Sequence, residues 1–193
     1  QLEDAKQWGE SVLFVSHHNV LPGGSDAEGS SYMIRNPELR DLLESYHVRL
    51  CLSGHRHSQE IIRDKELYEI ISAIPAISPH LVGTLTITDS KLSYRAEPID
   101  LETFGSTDGL VSALKQERMG GDTFRKATAN LKNWDRLDTE DQNTVLRLFR
   151  LFMVSYSAGN LANVREDILN DSGYELFMDV FAESNYGPWM RYL

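Results

Sequence analysis

Apolar positions along the chain fall into two regimes. In the first hundred residues they come as short continuous or alternating runs, and in the last stretch they recur every three or four residues. Leu2, Ala5 and Trp8 stand three apart, which predicts the last turns of an amphipathic helix. A helix already ending there implies a chain that starts midway through a fold. Ser11 to Ser16 encloses the apolar run Val12-Leu13-Phe14-Val15, the pattern of a strand covered on both faces. The next segment, Val20 to Ser31, carries Pro22, Gly23, Gly24, Gly29 and several serines, and reads as a loop. Asn36-Pro37-Glu38 is a helix start: Asn caps, Pro occupies the first turn without losing a useful donor, and Glu meets the dipole. Leu39, Leu42, Leu43 and Tyr46 mark its apolar face, and Val48 to Leu52 is the next buried strand. Strand, loop, helix and strand in that order predict a right-handed crossover between parallel strands.

Beyond residue 57 the runs shorten and alternate. Glu60 to Arg63, Leu67 to Ile71, Leu81 to Thr88 and Lys91 to Ile99 read as strands, the last two joined by a hairpin turn at Asp89-Ser90. The strand pattern stops near Asp100, and Leu101 to Ser106 reads as a linker. Helices are predicted over Leu110 to Glu117, Thr123 to Trp134 and Asp138 to Tyr156, with shorter ones over Ala162 to Leu169 and Tyr174 to Ala182. Asp138 or Thr139 caps the long helix, Val145, Leu148, Phe149, Phe152 and Met153 form its packing stripe, and Gly159 ends it. Tyr186-Gly187-Pro188-Trp189 reads as a docked aromatic tail. The fold class is therefore α/β, with a sheet-bearing part over residues 1–103 and a helical part over 104–193.

Composition narrows the functions available. The chain has 193 residues, a 41% hydrophobic share and a formal charge of -10. Such a balance opposes binding to a nucleic-acid polymer, which needs a basic stripe to displace counterions. No apolar run approaches the roughly 20 residues that span a bilayer, so no transmembrane segment is predicted. The single cysteine, Cys51, lies in a predicted buried strand and reads as core packing.

Histidine placement carries the chemistry. Four of six histidines sit just past two predicted strands, in Ser16-His17-His18-Asn19 and Ser53-Gly54-His55-Arg56-His57. Neutral imidazole binds borderline divalent metals, and the C-terminal edge of an α/β sheet is where such folds keep ligands. In an extended turn, His55 and His57 would project to one side, with Gly54 permitting a tight backbone entry. Arg56, between them, reads as a structural ion pair. Asn19 either donates to a phosphate oxygen or closes the turn. His47 suits the end of a helix, where a cation meets the dipole, and His80 reads as a surface loop residue.

With these residues in place, the chain resembles the calcineurin-like metallophosphoesterases. Ser16-His17-His18-Asn19 and Ser53-Gly54-His55-Arg56-His57, with a helix and a strand between them, are similar to that family's last two metal-binding motifs. The doubled histidine is similar to the His-His-Pro-Pro turn of the class III cyclic nucleotide phosphodiesterase branch, with Asn19 in place of the first proline. The resemblance implies the C-terminal half of an α/β/β/α sandwich, followed by a small all-α domain. It implies that His17 and His55 bind one divalent metal and His57 a second, the metals being Mn, Fe or Zn. His18 would support the turn or line the pocket. The family's Gly-Asp-x-His, Gly-Asp-x-x-Asp and Gly-Asn-His-Asp/Glu motifs are not in this chain. The expectation is thus a C-terminal portion of a phosphoester hydrolase, with a cyclic nucleotide among its candidate substrates, that is inactive alone and forms at most a weak partial site. Its partner would be the N-terminal half of the domain or a second copy. The alternative is a non-catalytic scaffold or interaction module derived from the same fold.

Overall fold

Local sequence chemistry sets the ends of the elements. In the computed structural model, residues 1–23, 33–36, 38–100, 103, 128, 131, 133–184 and 186–193 are described, the side chains of Trp189 and Arg191 excepted. The predicted linker and the helices predicted over 110–117 and 123–134 lie outside them, apart from isolated positions. Helix α1 spans Leu2–Trp8 and closes at Gly9, whose φ of 70° lets Glu10 N–H reach the Ala5 carbonyl at 2.8 Å. Helix α2 spans Glu38–Ser45. Asn36 Oδ1 accepts from Glu38 N–H at 3.0 Å, the cap that the Asn-Pro-Glu sequence predicts. At the other end, His47 N–H donates to Glu44 and Val48 N–H to Leu43, with His47 at a φ of 57°. His47 is thus the left-handed residue of a Schellman cap, a position more often filled by glycine.

Strands β1 (Leu13–Val15), β2 (Leu50–Ser53), β3 (Glu60–Asp64) and β4 (Leu67–Ile71) form one sheet in the order β1-β2-β4-β3. β1, β2 and β4 run parallel, and β3 returns antiparallel to β4. β1 and β2, on either side of α2 in the chain, pair in parallel, as expected from the sequence. Register sets the faces. Phe14, Cys51, Glu69 and Ile62 share one, which meets a cluster of Val20, Leu21, Leu43, Val48 and Leu67. Leu13, Val15, Leu52, Ile70 and Ile61 lie on the other.

The predicted double coverage of β1 is not what the structure shows. Leu13 is 37% and Val15 66% exposed, so the face of β1 that bears them is open among the described residues, where β1 is also an edge strand. A continuous apolar run cannot tell an edge strand from a central one. β5 (Leu81–Ile87) and β6 (Leu92–Pro98) form a separate two-stranded sheet, with Thr88 N–H on the Lys91 carbonyl at 2.8 Å across the Asp89-Ser90 turn. Tyr94 Oη reaches Gln59 Oε1 at 3.2 Å, and Gln59 Nε2 donates to the Ile71 carbonyl at 3.1 Å.

Two compact units result, one of residues 1–74 and 82–96, the other of 75–81 and 97–193. In the second, α3 (Thr139–Ser157), α4 (Leu161–Leu169) and α5 (Tyr174–Ala182) enclose a core that includes Val145, Leu148, Phe149, Phe152, Ile168, Phe177 and Phe181. Asp138 Oδ1 accepts from Asp141 N–H at 2.9 Å, the cap expected for α3. Gly159, at a φ of 70°, ends the turn that follows. The tail docks through Tyr186, edge-on to Phe149 with centroids 5.0 Å apart, and through buried Met190 and Leu193. His80 belongs to this unit and is fully buried, its Nδ1 2.7 Å from the Pro75 carbonyl. The expected surface histidine is therefore a buried residue, its ring given a polar partner inside by the Pro75 carbonyl. No helix among the described residues is long and apolar enough to cross a membrane.

Candidate metal centre

The parallel ladder continues one step beyond β1 and β2. Ser16 N–H donates to the Leu52 carbonyl at 3.0 Å, and Gly54 N–H to the His17 carbonyl at 3.1 Å. Those bonds hold the two histidine turns side by side at the C-terminal edge of the sheet. His17 Nε2 and His55 Nδ1 lie 3.0 Å apart. Two imidazole nitrogens about 2.0–2.1 Å from one ion stand about 2.9 Å apart at a right angle and about 3.3–3.4 Å apart at the tetrahedral angle. The observed separation lies within that span and is also an N–H···N hydrogen-bond distance.

His18 and His57 complete the cluster. The His18 ring centroid is 4.4 Å from that of His55 and 5.3 Å from that of His17. His17 and His57 face solvent, whereas His18 and His55 are half-buried. Burial first, and then the neighbouring His18, His17 and His57 rings, hold the His55 pKa below the usual imidazole value. Partial desolvation of the ring itself, although the residue as a whole reaches solvent, and then the His17 ring do the same for His57. Both shifts favour the neutral form that a metal requires.

Backbone geometry departs from the expected extended turn. His55 and His57 both adopt left-handed φ values, 63° and 59°. Arg56 N–H reaches the Gly54 carbonyl at 2.7 Å, so His55 is the centre of a γ-turn of the positive-φ, strained form. Gly54 itself has open space around its Cα and no positive φ. The turn therefore places its strain on the two histidines and not on the glycine that the sequence pointed to. Arg56 turns inward, buried and paired with Glu60 at 3.0 Å, as the ion-pair reading expects.

Beneath the cluster lies a polar network. Asn19 is buried and donates from Nδ2 to Ser53 Oγ at 2.7 Å, and Ser53 Oγ donates to Glu69 Oε1 at 2.6 Å. The Asn19 side chain thus ties the turn after β1 to the end of β2. The histidine pattern in the sequence points to neither Glu69 nor Ser53. The available signal was one carboxylate inside the apolar run Leu67-Tyr68-Glu69-Ile70-Ile71, since a buried acid must find donors. Cys51 sits beside this acid, and burial first, then the Glu69 charge, push its thiol up to about 12, so it is unreactive at neutral pH.

Two imidazole nitrogens make half of a coordination sphere. Among the described residues, no group of three His, Cys, Asp or Glu side chains could hold a metal ion. The ring pair fits one metal, and the set as a whole falls short of a closed site. The chain matches no family model, and no curated protein matches it.

Proposed function

We propose that this chain supplies the histidine half of a metal-dependent phosphoester hydrolase centre of the calcineurin-like metallophosphoesterase type. In that reading residues 1 to about 103 are the C-terminal half of an α/β/β/α sandwich and the later helices a small appended domain. The 3.0 Å approach of His17 Nε2 to His55 Nδ1, at the ends of adjacent parallel strands, carries the proposal. His17 and His55 bind one divalent ion, Mn, Fe or Zn, and His57 contributes to a second. His18 lines the pocket. Aspartates and an asparagine outside these residues complete the ligand set, supplied by the N-terminal half of the domain, while a second copy of this chain is the alternative partner for its sheet. With both ions bound, such a centre lowers the pKa of a bridging water and neutralises charge on a phosphodiester such as a cyclic nucleotide.

The test uses this chain joined to the segment bearing the missing carboxylates, assayed with Mn on an aryl phosphodiester. His17→Ala and His55→Ala should each lower turnover more than about 100-fold, since loss of a ligand exceeds the cost of disturbing its support. Full activity in either variant would sink the proposal.

A second reading is favoured by the lack of any three-ligand group among the described residues. In it the domain is a non-catalytic scaffold or interaction module. Co(II) titration of a chain joined to that segment separates the two, because a scaffold takes up no ion at His17 and His55.

A further inference from the structure

We infer that Glu69 is a positioning residue for the histidine cluster, its carboxylate fixing both histidine turns at once. This rests on the metal-centre reading above. Glu69 lies in the middle of β4, opposite Cys51 of β2, and is completely buried. A carboxylate in that place is costly unless donors surround it. Three donors do. Val20 N–H lies 2.9 Å from Oε1 and 3.1 Å from Oε2, Leu21 N–H lies 2.6 Å from Oε2, and Ser53 Oγ lies 2.6 Å from Oε1.

The directions of these bonds are forced. Ser53 has one proton and gives it to the acid, so its oxygen accepts from Asn19, which must present its amide nitrogen. Asn19 Oδ1 is thereby turned away from Ser53, buried and without a hydrogen-bond partner among the described residues. Asn19, Val20 and Leu21 directly follow His17-His18, and Ser53 directly precedes Gly54-His55. One carboxylate thus anchors the segment behind each histidine turn, across two neighbouring strands. An aliphatic side chain would suit the apolar neighbours Cys51 and Leu67 better, but it would leave the two amides and the hydroxyl without an acceptor. Supports of this kind behind metal-binding imidazoles typically change affinity by about 10–100-fold when removed.

The experiment titrates the 193-residue chain with Co(II), following the visible bands, and records the imidazole nitrogen signals of His17 and His55 by NMR. Glu69→Gln keeps the shape but aims an amide N–H at the donors. It should retain the circular dichroism of the parent, weaken Co(II) binding about tenfold, and shift both ring signals together with the Val20 and Leu21 amides. Leu67→Ala, which loosens the same strand without touching the carboxylate, should leave affinity and ring signals in place. Parental affinity in Glu69→Gln, or an equal loss in Leu67→Ala, overturns the inference. A parent that binds no Co(II) leaves the metal reading to the joined chain, and the ring signals alone then decide the positioning role: movement in Glu69→Gln supports it, and unmoved rings overturn it. Should Glu69→Gln fail to fold, Ser53→Ala, which keeps both backbone donors, takes its place with a smaller shift expected in the same signals.

Discussion

A histidine held at positive φ spends conformational energy that a glycine would not. His47, His55 and His57 all occupy that region, at φ values of 57°, 63° and 59°, and the cost per residue is of order 1 kcal/mol. At His47 the imidazole is exposed at the end of α2 and nothing in the proposed centre uses it. His57 stands in the cluster. Replacing either with glycine should therefore stabilise the chain by about 0.5–1 kcal/mol, read from urea unfolding, after allowing for glycine's greater entropy when unfolded. The two variants should then part company in the completed centre, where His57→Gly impairs metal uptake and His47→Gly does not. Stabilisation in neither would show that the local backbone tolerates histidine without strain.

At the scale of elements, legibility followed periodicity. Ranges for β4 and α5, the Asp138 and Asn36 caps and the Asp89-Ser90 turn were all readable, since each depends on neighbours a few residues apart. The clustering of His17, His18, His55 and His57 was readable too, because parallel pairing of β1 with β2 brings their ends together. What escaped carries no sequence period: the exposure of β1, the burial of His80, the left-handed turn at His55 and His57, and the acid at Glu69, whose donors lie far along the chain. Leu42 shows the same limit within one helix. It flanks the stripe of Leu39, Leu43 and Tyr46 and is left 45% exposed. Another contact of this long-range sort joins α3 to the turn after α4, where Arg147 Nη1 and Nη2 grip Asp171 at 2.8 and 2.9 Å and Gly173 N–H adds a third bond at 2.9 Å. Arg147 first, then Gly173 N–H, holds the Asp171 carboxyl below its ordinary 3.8. The folded state therefore binds this proton less readily than the unfolded state, so the contribution is present above about pH 4 and lost as pH falls through the lowered folded value. Asp171→Asn should cost about 0.5–1 kcal/mol at pH 7, a value discounted for solvent screening. In matched urea titrations the cost should shrink toward zero in strong acid; a constant difference would assign it to packing instead.

For the whole molecule, the open edge of the four-stranded sheet matters most. Strands that pair in parallel are ordinarily covered on both faces, yet β1 presents Leu13 and Val15 to solvent, and Ile61 and Tyr68 on the same face are 60% and 38% exposed. The outer edge of β1 carries no further strand among the described residues. An apolar, unpaired edge is a template for another strand, and the proposed centre also needs ligands from beyond this chain. Both requirements point to the same partner position, beside the turn that bears His17. In the absence of a complementary half, the chain should pair with itself, with a dissociation constant on the order of 10–100 μM, or about -5.4 to -6.8 kcal/mol. Sedimentation across that concentration range reads it directly. Val15→Lys places a charge on the edge where the side chain is already 66% exposed, so stability should change by no more than about 0.5 kcal/mol while association is lost. A parent chain that sediments as a monomer throughout would remove the edge as the docking position, and the missing ligands would then have to approach the histidines from another side of the sheet.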